Sequence, residues 1–468
     1  ILYHNKITNF FIFLFKHLIN NIIIISVMKN QETLCINTLR CLSIDMVQQA
    51  KSGHPGMPLG MAPIMHVLFS RHLKFCSSNS DWPSRDRFVL SNGHGCALLY
   101  SILHLTGFKV TLDDLKNFRQ SGSNTPGHPE MNITDGVEAT TGPLGQGIAN
   151  AVGMAIAQEH VAACFNTEQF PIADSKIYVF CGDGCLQEGL SSECCSLAGH
   201  LKLKNLILIY DDNQITIDGN TSLSFSEDIP KRFESCGWNT ITVDNGNEDL
   251  EAMNHAIRLA QHSDKPTIIS LKTRIGYKSP LENTAKAHGS PLGDEGVIAT
   301  KKALGMDSTK KFHVPKIVSE FYSDVIERGN SSYNKWQNMF ELYSKQYPDK
   351  AQEFNRIFIK KELPVGWKKA LKDVVENTTN VATRVISGKI LKSIAEYVPE
   401  LIGGCADLTP SCKTRFDTDD FQPKSYHGRY IRFGVREHGM IAICNGISYY
   451  GGLIPFSATF LNFLTYAW

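Results

Sequence analysis

Ile177-Tyr178-Val179-Phe180-Cys181, running into Gly182-Asp183-Gly184, is the stretch whose reading decides the fold. The five apolar, β-branched and aromatic residues read as a buried strand. A helical segment follows from about Gln187 to Leu201, and a second apolar run, Leu206-Ile207-Leu208-Ile209-Tyr210, ends in Asp211-Asp212-Asn213. Strand, Gly-rich turn, helix and strand make a βαβ unit, and such units bind ligands where strand carboxyl ends meet the turns. If the two strands pair, Asp183 and Asn213 become neighbours offering only hard oxygen donors, which suit Mg²⁺ or Ca²⁺ holding a diphosphate. A lone Gly-Asp-Gly is more commonly a plain surface turn with an N-cap Asp. The surrounding motifs change that balance.

Working toward the N-terminus, Gln31–Lys51 has apolar residues at helical spacing and stops at Ser52-Gly53-His54-Pro55-Gly56, where Gly and Pro forbid continuation. Met57–Lys74 reads as a buried helix, Arg87–Ser91 as a strand delivering Asn92-Gly93-His94-Gly95, and Cys96–Leu105 as the next helix. Thr111 caps a short helix over Leu112–Phe118. Thr141-Gly142-Pro143-Leu144-Gly145-Gln146-Gly147 feeds an Ala-rich helix to about Ala163, and a Gly-rich turn at a helix N-terminus is a ready anion site.

Toward the C-terminus, Trp238–Val243 and Thr267–Leu271 read as strands with a helix near Leu250–His262 between them. Strands alternating with helices predict a parallel sheet covered on both faces. Gly276–Gly293 is a long Gly-, Ser- and Pro-rich loop, of a length that is usually either functional or disordered. From Ser308 to Lys372 the chain turns charged and helical, with Trp336, Phe340 and Tyr343 at helical spacing, and reads as a linker. A second α/β unit follows: a helix over Val385–Tyr397, strands at Leu401–Gly404, Arg429–Phe433 and from Ile454, and a helix opened by Gly434–Met440. The fold class predicted is α/β, with two successive α/β domains of parallel sheets flanked by helices.

At 468 residues the chain holds two or three domains. A net charge of +1 with both signs mixed gives no electrostatic case for nucleic acid or a membrane surface. The 13 cysteines include no C-x-x-C pair, so we read them as reduced core residues of an intracellular, cytoplasmic protein. Ile1–Val27 differs in composition from the rest, and its apolar runs are shorter than the roughly 20 residues that span a bilayer. We read it as upstream translation outside the fold, with Met28 the start; a membrane anchor is the alternative.

Four of the 16 histidines, His54, His94, His128 and His288, lie in Gly- or Pro-rich turns. Any one alone is more simply structural, but such turns expose an imidazole and let a ligand approach. None has zinc-type spacing, which leaves proton transfer and the binding of hydroxyl or phosphate oxygens.

Ten motifs together carry a resemblance. They are Ser-Gly-His-Pro-Gly (52–56), Ser-Asn-Gly-His-Gly (91–95), Gly-His-Pro-Glu (127–130), Gly-Pro-Leu-Gly-Gln-Gly (142–147) and Gly-Asp-Gly-Cys-Leu-Gln-Glu-Gly (182–189). Asp-Asp-Asn-Gln-Ile-Thr-Ile-Asp-Gly (211–219), Ala-His-Gly-Ser-Pro-Leu-Gly (287–293), Ala-Asp-Leu-Thr-Pro-Ser (406–411), Arg-Glu-His-Gly-Met (436–440) and Thr-Phe-Leu-Asn-Phe (459–463) complete the set. In kind and order they resemble the transketolase family. That resemblance implies a transferase using thiamine diphosphate to move a two-carbon ketol unit from a ketose phosphate to an aldose phosphate, in the pentose phosphate pathway.

It further implies that Asp183, Asn213 and the Ile215 carbonyl hold Mg²⁺, with Ca²⁺ or Mn²⁺ as alternatives. Gly184, His94 and His288 would contact the cofactor diphosphate, with Gly142 and the apolar wedge Leu144 beside it. Glu188 would join a carboxylate network linking cofactor sites across a homodimer whose active sites lie at the subunit interface. Glu437 matches the glutamate that hydrogen-bonds the aminopyrimidine, and a carboxyl in that role is expected to be buried, with its pKa raised by desolvation. Phe463, Phe460 and Tyr466 would line the pyrimidine pocket, though on spacing alone they read as a core stripe. Asp407 would lie near the thiazolium. His54, His128 and His288 would contact the sugar and shuttle protons, and Arg384 and Ser411 would bind its phosphate, a role that suits a guanidinium.

The resemblance implies domains at 28–310 (diphosphate-binding), 311–375 (helical linker) and 376–468 (pyrimidine-binding, incomplete), with a third domain absent. Ser457-Ala458 departs from the Gly-Gly usual in the family. Two rival readings are a related ketol transferase, such as a dihydroxyacetone synthase or a deoxyxylulose phosphate synthase, and an inactive fragment or interaction remnant. The Ala-His-Gly-Ser-Pro-Leu-Gly loop and Arg384 favour transketolase over the deoxyxylulose phosphate synthase. We expect this chain alone to turn over poorly.

Overall fold

The computed structural model describes residues 29–376, 378 and 380–468, so the expectation for Ile1–Val27 lies outside the described residues. Strand β1 (Arg87–Leu90), β2 (Ile177–Gly182), β3 (Leu206–Asp212), β4 (Asn239–Val243) and β5 (Thr267–Lys272) form one sheet in the order β1-β2-β3-β5-β4. Every pairing in it is parallel, and Gly182 lies opposite Asp211 in the β2–β3 register. A second parallel sheet has the order β7-β6-β8, from β6 (Leu401–Cys405), β7 (Tyr430–Arg432) and β8 (Ile454–Ala458).

The period of a strand divides the first core in two. Ile177, Val179 and Cys181 of β2 and Leu206, Leu208 and Tyr210 of β3 pack into one apolar cluster. Tyr178, Phe180, Ile207 and Ile209, the alternate residues, pack into the other. Helices α1 (29–50), α2 (Gly56–Val67) and α3 (Cys96–Leu105) cover this second face. Helix α4 (Gln146–Phe165), nearly all of it buried, covers the first.

The predicted helix over 187–201 is found as α6 (Gly189–His200), and the Gly-rich turn before it forms a short helix, α5 (Asp183–Gln187), divided from α6 at Glu188, whose backbone is extended (φ −64°, ψ 129°). The Gly-rich turn before α4 occupies the break: a Cβ on Gly145 would lie 2.9 Å from the Glu188 Cβ. After α7 (Leu250–Gln261), the long loop contains one helical turn at Lys286–Gly289 and ends in α8 (Gly293–Ala303). The charged segment is dominated by a 31-residue helix, α9 (Lys316–Gln346). It docks on the first unit, since Trp336 Nε1 donates to the Ile172 carbonyl (2.9 Å) and Tyr343 Oη to the Phe165 carbonyl (2.8 Å). No helix among the described residues is long and apolar enough to cross a membrane.

Helix α8 is tied to α1 by a buried ion pair. Lys301 Nζ donates to Asp45 Oδ1 (2.6 Å) and to the Lys310 carbonyl (2.7 Å), and the Phe312 amide donates to Asp45 Oδ2 (2.8 Å). Burial raises the Asp45 pKa, with Lys301 opposing that rise. Lys301→Met would leave a buried carboxylate without its cation, and we expect a loss of about 3–5 kcal/mol of stability, read by urea unfolding. A loss below about 1 kcal/mol would show that water already reaches Asp45.

The two α/β units share one core. Helix α10 (Thr383–Tyr397) and α11 (Glu437–Tyr450) flank the second sheet, and α11 crosses α4 at backbone contact. A Cβ on Gly153 would lie 2.0 Å from the Ile443 carbonyl oxygen, and one on Gly446 would lie 1.9 Å from that of Asn150. Asn150 Nδ2 donates to the Ala442 carbonyl across the same crossing (2.9 Å).

Candidate active site at the carboxyl edge of the first sheet

The carboxyl ends of β1, β2 and β3 deliver His94, Asp183 and Asn213 to one edge, as the βαβ reading requires. Three other turns converge there. The His54 ring centroid lies 5.1 Å from that of His94, 5.7 Å from His288 and 6.4 Å from His128, and His94 lies 4.9 Å from His288. Four histidines from four separate turns thus meet in one half-buried cluster.

All four are held toward the neutral form. Burial lowers the His54 pKa to about 4, with His288, Arg119 and His128 adding positive surroundings. His94 is lowered well below its ordinary value by burial and then by His288, His54 and His128. His128 is lowered by burial and Arg119, and His288 by burial. Neutral imidazoles can donate and accept hydrogen bonds at once, which suits them to hydroxyl groups.

Close backbone approach explains the glycines. Gly142 (φ 157°) lies against the His128 ring, 3.4 Å from its Cγ at the Cβ position. A Cβ on Gly184 would lie 2.7 Å from Leu144 Cδ1, so this turn seats the Leu144 side chain over the Asp183-Gly184 backbone. Gly145, left-handed at φ 82°, is the N-cap of α4.

Asp183 is buried and accepts from Tyr210 Oη (2.6 Å). Its pKa is raised to about 6, chiefly by burial and then by Asp212, while the Tyr210 hydroxyl and the Gln214 amide oppose the rise. Asp211 is raised to about 7, again by burial first, with Thr273 opposing and Asp183 and Asp212 adding to the rise. No salt bridge among the described residues engages Asp183, Asp211 or Asp212. Asn213 Nδ2 donates to Asp211 Oδ2 (2.9 Å) and its Oδ1 accepts from the Ile215 amide (3.0 Å), an Asx turn that brings the Ile215 backbone beside the amide. A buried carboxylate lacking a cation, an amide oxygen and a carbonyl form a donor set that fits a hard divalent ion.

The second unit carries the other expected residues. Glu437 is buried in the first turn of α11, and Thr459 Oγ1 lies 3.4 Å from its Oε1. Phe460, Phe463 and Tyr466 lie on a 3₁₀ helix (Leu461–Ala467) and at its edge, with ring centroids 6.1 and 6.0 Å apart. They are not a core stripe: Phe460 and Tyr466 are exposed. Three residues per turn in a 3₁₀ helix set them in one stacked row on the outside of the second unit. Asp407 is exposed and left-handed (φ 58°), and Arg384 and Ser411 are exposed. Glu188 is exposed at the α5–α6 break. Among the described residues no hydrogen bond, ion pair or ring contact joins Glu437 or the aromatic row to the histidine cluster or Asp183.

Sequence reasoning missed Arg119 and Glu193. Arg119 follows a short helix with no motif around it, yet its guanidinium reaches His54. Glu193 Oε2 accepts from the Gly439 amide at the start of α11 (2.7 Å), satisfying a free helix N–H. Only its acidic character on α6 hinted at that.

Parallel sheets with Gly-rich turns, hard-oxygen donors and imidazoles gathered on one carboxyl edge define a class of α/β proteins built to hold a phosphorylated ligand. Residues 31–364 match the profile "Transketolase, thiamine diphosphate binding domain", and residues 379–468 match "Transketolase, pyrimidine binding domain". The chain belongs to the transketolase family. It is 51% identical over 444 residues to a probable transketolase of Schizosaccharomyces pombe, covering 93% of this chain and 65% of the relative. It is 52% identical over 445 residues to transketolase 2 of Saccharomyces cerevisiae, with the same coverage of 93% and 65%. The solved transketolase of Leishmania mexicana superposes with a TM-score of 0.90 at 47% identity, covering 93% of this chain and 65% of that one. A transketolase of Pichia stipitis in complex with sedoheptulose 7-phosphate gives a TM-score of 0.90 at 46% identity, with 93% and 66% covered. The chain therefore spans 65% of the length of the curated relatives named here.

Proposed function

We propose that the protein is a transketolase, a transferase that moves a two-carbon ketol group from a ketose phosphate to an aldose phosphate in the cytoplasmic pentose phosphate pathway. The observation that carries this reading is the meeting of His54, His94, His128 and His288 in one cluster on the sheet edge that also bears Asp183. Neutral imidazoles side by side suit a substrate made of adjacent hydroxyls.

Asp183, Asn213 and the Ile215 carbonyl would hold Mg²⁺, and Gly184, Gly142, His94 and His288 would border the cofactor diphosphate, with Leu144 as the wedge. Glu437, Phe460, Phe463, Tyr466 and Asp407 would receive the aminopyrimidine and thiazolium. Thiamine diphosphate supplies, when bound, the electron sink for breaking a carbon–carbon bond. The chain's own residues bind and orient: His54, His128 and His288 hydrogen-bond the sugar hydroxyls, and Arg384 and Ser411 meet its phosphate. The sugar complexes of the Pichia stipitis relatives, with sedoheptulose 7-phosphate and fructose 6-phosphate, support that substrate class.

The separation of the Glu437 group from the Asp183 group within one chain supports a homodimer in which each site draws on both subunits, with Glu188 at the junction. Domain limits at 28–310, 311–375 and 376–468 follow the same reading. The test is ketol transfer from xylulose 5-phosphate to ribose 5-phosphate with thiamine diphosphate and Mg²⁺, using the gene product. Formation of sedoheptulose 7-phosphate is expected; binding of cofactor without any transfer would overturn the reading.

A further inference from the structure

Arg119 is held on three sides. Its Nη1 donates to Ser52 Oγ (2.9 Å), its Nη2 donates to the Gly127 carbonyl (3.2 Å), and its guanidinium lies 5.5 Å from the centroid of the Phe118 ring. The same Nη2 lies 3.4 Å from His54 Nδ1, in hydrogen-bonding geometry. A guanidinium carries only donors and keeps its charge at any working pH, whereas a neutral imidazole has one protonated and one bare nitrogen. A donor set against Nδ1 requires a lone pair there, which puts the ring proton on Nε2.

On the opposite side of the ring, no hydrogen bond among the described residues engages Nε2. A Cβ on Gly289 would lie 3.2 Å from His54 Cδ2 and 3.4 Å from Nε2, so any other residue there would crowd the Nε2 edge. The neighbouring rings of His94 and His288 stand at 5.1 and 5.7 Å between centroids. Burial, with His288, Arg119 and His128 adding to it, keeps the His54 pKa down to about 4.

From this geometry we infer that Arg119 is a positioning residue that locks His54 in its Nε2–H tautomer, so that His54 serves as a hydrogen-bond donor through Nε2 and its Nδ1 is closed to substrate. Donation to a ketose hydroxyl or carbonyl oxygen rests on the function proposed above; the tautomer does not.

The tautomer is read on the full chain labelled with ¹⁵N-histidine, by long-range ¹H–¹⁵N correlation near neutral pH. His54 is assigned by the signals lost in His54→Gln. The unaltered protein should show Nε2 protonated and Nδ1 bare, and folded Arg119→Met should show a mixture of the two forms. An Nδ1–H pattern in the unaltered protein, or an unchanged pattern in folded Arg119→Met, overturns the inference; the first result decides even if that variant does not fold. In ketol transfer, His54→Gln, whose amide N–H sits near the Nε2 position, should retain about tenfold more activity than His54→Asn. Equal losses would overturn the donor role. An Nε2–H pattern together with no ketol transfer by the full gene product would uphold the tautomer and refute the proposed function alone.

Discussion

Asp183→Ala will lower the affinity for thiamine diphosphate in the presence of Mg²⁺ by more than about 100-fold while leaving the fold intact. The carboxylate is buried at the end of β2, and burial with the nearby Asp212 raises its pKa to about 6, so its charge is disfavoured without a cation beside it. A bound divalent ion would reverse that balance, and metal affinity is the quantity that losing this oxygen pair removes. Stability is spared for two reasons. Tyr210 Oη keeps a second acceptor, Asp212 Oδ1 at 3.5 Å, and removing an uncompensated buried charge costs the apoprotein little. Titration calorimetry with cofactor and Mg²⁺ reads the first effect and far-UV circular dichroism the second. Affinity retained within about threefold would sink the assignment of this turn as the diphosphate anchor.

Gly446→Ala will separate the two α/β units, with an expected loss of about 3 kcal/mol or more. The added methyl would stand 1.9 Å from the Asn150 carbonyl oxygen, a backbone atom inside α4 that cannot swing aside. Helices meeting at a glycine must either move apart or bend, and moving apart breaks the hydrogen bond from Asn150 to Ala442 and opens the shared core at Ile443 and Ile447. Denaturant unfolding should change from one transition to two, with the second unit melting first. A single transition at the unaltered midpoint would mean that the α4–α11 crossing is not what joins them.

The division of labour between sequence and tertiary structure can be followed residue by residue. Every strand of both sheets was legible, the central ones because a parallel strand buried on both faces needs an unbroken apolar run, as in Ile177–Cys181 and Leu206–Tyr210. Histidines in glycine turns were legible as candidates, because only such turns let a backbone approach another ring as Gly142 approaches His128. The break at Glu188 was not legible, because it is set by the Gly145 turn, more than forty residues away in the chain. The spacing of the aromatic row alone read as core, because i, i+3 spacing cannot distinguish an α-helical face from a 3₁₀ helix.

Local pattern by itself determined the elements, the parallel order of a βαβ unit and the placing of Asp183 and Asn213 at neighbouring strand ends, because these depend on side-chain period and on contacts close in sequence. Tertiary structure alone decided that four histidines from four turns form one cluster, that Arg119 faces His54 Nδ1, and that the Gly439 amide beside Glu437 meets Glu193 of the first unit. Those relations join residues tens to hundreds of positions apart, and chain spacing carries no record of them until the sheets, helices and turns are packed.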